Sequence, residues 1–148
     1  MKTIFDESVR KEIIERINTL NEDNKPVWGK MNIYQMLKHC TEYEELLLEK
    51  KRFKRSFLGR FFGKIALKQI IADDTPLEKN MPTIPEIIIT ESNGDIAAEK
   101  AKWIAQLEEH AHFKSHNVVH PFFGKVTNEQ VGRLPYKHAD HHLSQFNS

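Results

Sequence analysis

Apolar residues recur at helical spacing in three segments of the chain, and polar residues fill the positions between them. These segments cover residues 6–20, 32–51 and 95–114. Asn32, at the start of the second segment, belongs to the residue types that favour the N-terminal cap of a helix. The spacing therefore predicts three amphipathic helices, separated by polar or proline-containing connections.

Residues 50–68 combine basic and aromatic side chains, and no acidic residue offsets them before Asp73. Apolar and basic positions fall on separate stripes of a helical projection, which predicts a further helix, weakened by Gly59 and Gly63. We interpret its basic face as solvated surface and its aromatic residues as a lid or dimer contact. Binding to phosphate, acidic lipid or nucleic acid is the alternative.

The second half of the chain contains two long connections and a final helical region. Residues 73–94 include three prolines, and connections of this length in compact domains often cover a functional site. Within them, residues 87–89 are three isoleucines, which favours a buried extended piece. Thr127 and Gln130 fit a capping box, which predicts a short helix. Pro135 is expected to interrupt it, and a last helix is predicted over residues 136–147.

Helices joined by loops, with little strand signal, predict an all-α fold, specifically an antiparallel four-helix bundle. A length of 148 residues fits a single domain over residues 1–148. The formal net charge of +1 creates no global attraction to nucleic acid or membrane. One cysteine, a charged N-terminus and no apolar run near the ~18 residues that span a bilayer predict a cytoplasmic protein without a membrane span.

Histidines carry the most specific chemical signal in the sequence. His138 and His142 are four residues apart, so they project from one face of the last helix and can converge on one metal ion. His39 places a third imidazole on the otherwise apolar face of the second helix. The alternative for each of these three residues is a histidine that is hydrogen-bonded on its own and binds no metal. Burying three imidazoles without partners costs free energy, however, which favours a metal site.

Three nitrogen ligands leave an open coordination position, as in catalytic metal sites. Zn, Ni, Fe and Mn all fit this ligand set. Glu42, one turn after His39, is a candidate proton acceptor, and a solvated surface carboxylate is the alternative. His120 lies on a loop and is a candidate catalytic helper, or a structural histidine bonded to backbone. Gln145 either orients a ligand or caps the last helix.

Four other side chains could in principle bind a metal or react, but we interpret them as surface or core residues. His110, His112 and His116 show no converging spacing and are predicted to be surface residues. Cys40 follows His39 directly and is interpreted as a small buried core residue rather than as a thiolate near the metal.

Further motifs lie near the second helix, in the long connection and at the C-terminal end. They are Trp28-x-x-Met31, Met36-Leu37-x-His39, Lys79-Asn80-x-Pro82-Thr83-x-Pro85-Glu86, His120-Pro121-x-Phe123-Gly124 and Tyr136-Lys137-His138-x-Asp140-His141-His142-Leu143-x-Gln145-Phe146. Together they resemble the DinB-like superfamily, and more narrowly a bacterial branch of it. The resemblance extends from about Trp28 to the end of the chain.

The resemblance implies an antiparallel four-helix bundle of the DinB/YfiT-like type, with extra short helices and a long loop. It also implies a divalent metal held by His39, His138 and His142. Relatives of this type include metal-dependent transferases that use low-molecular-weight thiols, and isomerases and hydrolases. The resulting hypothesis is a metal-dependent transferase or hydrolase that acts on a small molecule, with a homodimer as the expected assembly and no nucleic-acid partner.

Two other functions remain open at this point. One is a bundle that binds a metal or a small ligand without turnover. The other is an adaptor that binds nucleic acid or a membrane surface through its basic helix.

Overall fold

The computed structural model describes residues 1–115 and 117–148. Within them the chain forms five α-helices, a 3-10 turn and one antiparallel pair of two-residue strands, which confirms a predominantly helical fold. The helices are α1 (Glu7–Thr19), α2 (Ile33–Leu47), α3 (Phe57–Ile70), α4 (Ile96–Glu109) and α5 (Asn128–Gln145); the 3-10 turn is Pro85–Ile87, and the strands are β1 (Val119–His120) and β2 (Gly124–Lys125). His116, predicted to be a surface residue, lies outside the described residues.

Both helices that carry the candidate metal ligands begin with a capping box. The Asn32 side chain accepts a hydrogen bond from the Gln35 amide, and the Gln35 side chain accepts one from the Asn32 amide. Thr127 and Gln130 form the same reciprocal pair at the start of α5, as the sequence predicts. These bonds satisfy backbone donors that the first helical turn leaves free, so they define where each helix begins.

The predicted interruption at Pro135 is wrong, because α5 continues through it as one helix of 18 residues. A proline inside a helix removes one backbone hydrogen bond and crowds the preceding turn. Pro135 is itself buried, and Leu134 and Tyr136 on either side are also buried in the core. Burial of these apolar groups offsets the lost hydrogen bond, so packing overrides the local preference.

The connection at residues 84–89 also differs from the prediction. Of the buried extended piece predicted at residues 87–89, Ile87 is buried but ends a 3-10 turn, whereas Ile88 has extended backbone but is exposed. Helix α2 ends at Leu47, before the predicted residue 51, and Glu49 beyond it adopts a positive φ of 58°. Helix α4 ends at Glu109 instead of continuing to residue 114.

The main core lies among α1, α2, α4 and α5. Helix α2 contacts α4 and α5, and α1 contacts the same two helices. One cluster of buried apolar side chains joins all four helices and includes Ile13, Leu37, Trp103 and Leu143. No helix in the described part of the chain is long and apolar enough to cross a membrane.

Helix α3 packs against the β1–β2 hairpin through its smallest residues. Its buried positions are Gly59, Gly63 and Leu67. A Cβ atom at either glycine would overlap the backbone carbonyl oxygen of Phe122, so the absence of a side chain permits this close approach. Leu67 is buried, and the large apolar residues on the opposite side of α3 consequently remain exposed.

We expect Gly63→Ala to lower the free energy of unfolding by about 2 kcal/mol, because the added methyl group overlaps backbone that cannot rotate away. Helix propensity alone would raise that free energy by about 1 kcal/mol. Urea denaturation followed by circular dichroism measures the difference. Gln69→Ala, at an exposed position of the same helix, is the matched control; equal or greater stability of Gly63→Ala relative to wild type would contradict the packing.

Candidate metal centre

Three imidazoles from two helices lie close together among the helices. His39 comes from α2, and His138 and His142 come from successive turns of α5. One ring nitrogen from each lies within 4.8 Å of the other two, and the Nε2 atoms of His39 and His138 are 3.1 Å apart. The structure therefore brings together the three histidines that the sequence singles out.

A backbone carbonyl orients the His39 ring. The Nδ1 atom of His39 lies 2.9 Å from the carbonyl oxygen of Ile87. A carbonyl can only accept, so Nδ1 carries the proton and donates it. The Nε2 atom of the neutral ring then presents its lone pair to the other two histidines. A hydrogen bond of this kind to the remote nitrogen is the usual way in which proteins orient a histidine that ligates a metal.

Gln145 fixes the His142 ring in the same way. Its amide Nε2 donates to the Trp28 carbonyl oxygen at 2.8 Å, which directs its Oε1 toward the ring. Oε1 lies 3.0 Å from His142 Nδ1 and accepts its proton. The Nε2 lone pair of His142 is thus free. Of the two roles that the sequence leaves open for Gln145, the structure supports orientation of a neighbouring ligand.

The His138 ring is held by stacking rather than by a hydrogen bond. Tyr43 lies parallel to it, with ring centroids 3.9 Å apart and an interplanar angle of 23°. Its Nδ1 is buried and has no hydrogen-bond partner in the described part of the chain. Tyr43 is four residues after His39, and that spacing is the sequence signal that could have placed it beside the site.

These hydrogen bonds test whether a cation fits the cluster. His39 Nε2 carries a lone pair and no proton. Its 3.1 Å contact with His138 Nε2 therefore requires either a proton on His138 Nε2 or a cation shared by both rings. Two nitrogens bound to one ion at about 2.1 Å in tetrahedral geometry lie about 3.4 Å apart. The 3.1 Å pair is already close to that separation, and the nitrogens that are up to 4.8 Å apart would approach by about 1 Å. Imidazole nitrogens suit Zn, Ni and Fe, and the donor set fits a divalent ion.

Burial keeps the three imidazoles neutral. Loss of solvent lowers the pKa of His39, and lowers the pKa of His138 well below its usual value, where His142 and His39 add a smaller repulsion. Desolvation, followed by repulsion from His39, brings the pKa of His142 to about 3. Neutral rings are the form that binds metal, so protons compete weakly for these ligands near neutral pH.

The structure places the two predicted catalytic helpers differently. Glu42 is half-buried and forms an ion pair with Lys51, and none of its described contacts reaches the three imidazoles. His120 is buried nearer the cluster, edge-on to Tyr43 at 5.9 Å and stacked on Phe123. Helper roles for Glu42 and His120 stay predictions.

His120 is also tied to backbone, as its alternative interpretation states. Its Nδ1 accepts hydrogen bonds from the amides of Phe122 and Phe123, each at 3.2 Å. In the neutral ring the proton therefore resides on Nε2. Desolvation, with a smaller contribution from Arg55, lowers the pKa of His120 to about 3.

The surface prediction for His110 is wrong, whereas His112 is exposed as predicted. The Nε2 atom of His110 lies 2.7 Å from a carboxylate oxygen of Glu44, and both side chains are fully buried. His110 follows Trp103 by seven residues, two helical turns, so it continues the buried stripe of α4; that spacing was the available signal. Cys40 is a buried core residue as predicted, and burial raises the pKa of its thiol.

Fold and site together define a helical protein with a three-histidine cluster that could hold a metal ion. Residues 6–148 match the model of a family described as Protein of unknown function (DUF1569), and the chain belongs to that family. Comparison with curated proteins finds no match, and comparison with solved structures finds none either.

Removal of the Gln145 side chain tests the orientation of His142. We expect Gln145→Ala to weaken Zn²⁺ binding about 10- to 100-fold, the usual cost of losing a hydrogen bond to a ligating histidine. Gln145→Glu retains an acceptor for His142 Nδ1 but loses the donor to the Trp28 carbonyl, so it is expected to bind between wild type and Gln145→Ala. Competition with a chromophoric chelator measures the affinities. Equal affinity of Gln145→Ala and wild type would contradict the orienting role.

The buried neutral state of His120 predicts acid sensitivity of the metal-free protein. Its folded pKa of about 3 lies below its usual value of 6.5, so between these values the unfolded chain binds one more proton. His120 therefore costs stability as pH falls through this window, by about 1.4 kcal/mol per pH unit. We expect His120→Gln to reduce that slope in urea denaturation series. His112→Gln, at an exposed histidine, is the control and should leave the slope unchanged.

Proposed function

We propose that this protein is a metal-dependent enzyme in which His39, His138 and His142 hold a divalent ion. The reaction class that fits best is a transferase using a low-molecular-weight thiol, or a hydrolase. The observation that carries the proposal is the meeting of three neutral imidazoles, two of them with the remote nitrogen occupied by an orienting acceptor. Three protein nitrogens leave room for a further ligand, as in catalytic sites.

When bound, a divalent ion supplies Lewis-acid chemistry: it acidifies a water or thiol and polarises an electrophile. The protein's own part is to prepare the ligands. The Ile87 carbonyl and Gln145 hold two rings in the tautomer with Nε2 facing inward, and Tyr43 holds the third ring by stacking. The rings of His39 and His142 then need no change of tautomer before they bind an ion.

His120 is proposed as the helper closest to this centre. Because its Nδ1 accepts from backbone amides, its Nε2–H is the group left to act on a substrate. A neutral imidazole in this state donates a hydrogen bond to a developing negative charge. Glu42 is proposed as a proton acceptor only with release of its ion pair to Lys51.

The architecture supports assignment to the DinB-like type of bundle. Helices α1, α2, α4 and α5 form a closed set of neighbours, with α2 and α1 each contacting α4 and α5. One histidine from the second helix and two from the last, four residues apart, match the ligand pattern that the resemblance implies. The long connection between α3 and α4 supplies the Ile87 carbonyl, so it contributes directly to the site.

A second candidate is a metal-binding bundle without turnover. The low solvent exposure of two of the imidazoles favours it, since His39 is 3% exposed and His142 is 7% exposed. A substrate would reach the centre through the half-buried His138 or by movement of the surrounding loops.

Metal analysis of the purified full chain tests the site. After reconstitution with Zn²⁺, Ni²⁺, Fe²⁺ or Mn²⁺ and removal of free ion, wild type should retain about one ion per chain, and His138→Ala should retain none. His112→Ala removes an exposed imidazole and should retain the ion. Absence of stoichiometric metal in wild type under every condition would overturn the proposal.

Turnover separates the enzyme from the binding module. The metal-loaded chain is assayed with a panel of low-molecular-weight thiols paired with electrophiles, and with ester and amide substrates for hydrolysis. We expect turnover that a chelator abolishes and that the same metal restores. Stoichiometric metal with no turnover across the panel would support the second candidate instead.

A further inference from the structure

The outward face of α3 is the largest group of exposed apolar side chains in the described chain. Five of its residues have between 57% and 72% of their surface in solvent. They are Phe57, Leu58, Phe61, Phe62 and Ile65. Large exposed apolar patches on otherwise polar proteins mark surfaces that bind a partner or a membrane.

The packing of α3 makes this exposure a fixed property of the fold. At 100° per residue, Gly59, Gly63 and Leu67 fall on the side that contacts the hairpin, and the five large residues fall opposite. Rotating the helix to bury the aromatic residues would bring side chains against the Phe122 backbone, where a Cβ does not fit. The apolar face therefore cannot turn inward without dismantling the contact that holds α3.

Basic residues border the apolar face. Arg60, Lys64 and Lys68 follow one edge of α3 at four-residue intervals and are exposed, and no acidic residue occurs from residue 50 to residue 72. Lys64 reaches the Lys125 carbonyl, whereas Arg60 and Lys68 have no ion-pair partner in the described structure. The surface along this edge of the apolar face is consequently positive.

We propose that α3 binds the surface of an anionic lipid bilayer, lying in the interface with its aromatic face toward the acyl chains. An apolar face flanked by lysine and arginine is the composition of interfacial helices: apolar burial and attraction to anionic headgroups act together. The charge complementarity with anionic headgroups is the argument for this occupant. The inference is independent of the metal centre.

Two other occupants fit the residues less well. A second copy that paired α3 with α3 about a two-fold axis would cover the apolar face but would offer the basic edge no acidic partner, because residues 50–72 contain no acid. Single-stranded nucleic acid would use the phenylalanines for stacking. Leu58 and Ile65 offer no aromatic ring, however, and the basic side chains lie at the edge of the face instead of its centre.

Vesicle co-sedimentation of the full chain tests the proposal. The probes are vesicles of phosphatidylcholine with phosphatidylserine and vesicles of phosphatidylcholine alone. We expect wild type to bind the anionic vesicles and to bind the neutral ones at least about tenfold more weakly. Phe61→Ser/Phe62→Ser should lose binding to both, and Arg60→Gln/Lys68→Gln should weaken anionic binding about fivefold per charge.

Matched variants keep the comparison specific. Val27→Ser/Ile88→Ser alters two apolar residues that are 56% and 59% exposed but lie outside α3, and Lys25→Gln/Lys30→Gln removes two exposed charges elsewhere. Both should bind like wild type. Circular dichroism verifies that every variant is folded, and the charge variant provides a second test if the serine variant does not fold.

Four results would overturn the proposal. The first is absence of wild-type binding to anionic vesicles. The second is undiminished binding by both α3 variants. The third is a dimer in light scattering that Phe61→Ser/Phe62→Ser dissociates, without vesicle binding, which would identify a second copy as the occupant. Salt-sensitive binding to an oligonucleotide, with no binding to vesicles, would overturn it in favour of nucleic acid.

Discussion

The structure of the candidate centre depends on one constraint. Three imidazoles are largely removed from solvent, yet each neutral ring has one nitrogen that needs a hydrogen-bond acceptor and one whose lone pair needs a donor or a cation. The protein meets it by directing Nδ1 of two rings outward, to the Ile87 carbonyl and to Gln145, and the Nε2 atoms inward. The constraint is not met at His138: Tyr43 stacks on its ring, but its Nδ1 has no hydrogen-bond partner in the described part of the chain. A metal ion would use the inward lone pairs, so an arrangement that is costly without an ion is suited to binding one.

This constraint explains why elements far apart in the sequence meet here. Helices α2 and α5 supply the rings, but the acceptors come from the 3-10 turn at Ile87 and, through Gln145, from the backbone at Trp28. Loops that look like simple connections therefore determine the tautomers of the ligands. Because any ligand that binds only the folded state stabilises it, an ion at this centre would also strengthen the attachment of both segments to the bundle.

The sequence revealed the parts of this design that depend on residue type and spacing. The four-residue interval of His138 and His142 and the apolar surroundings of His39 identify the cluster, and Asn32 and Thr127 identify the starts of the two helices. The Ile87 carbonyl had no signal, because every residue carries one. The predicted interruption at Pro135 was wrong because the backbone preference of one residue does not show how much apolar surface the helix buries. Glu44 and His110 form a buried pair whose partners lie 66 residues apart, so no local pattern links them.

Helix α3 shows a related limit: the sequence predicts its aromatic residues as a lid or dimer contact and its two glycines only as a weakness of the helix. That Gly59 and Gly63 pack on the Phe122 backbone and leave those residues exposed has no signal in residue spacing. Its anchor is the hairpin loop at Phe122, and the amides of Phe122 and Phe123 hold His120, which contacts Tyr43 beside the metal centre. A continuous path of contacts thus joins the exposed face to the imidazoles. Contact alone does not transmit a change, because coupling requires an element with two arrangements. Attachment through α3 would therefore alter the imidazole cluster only if the hairpin itself adopted a second arrangement, and otherwise would only position the protein.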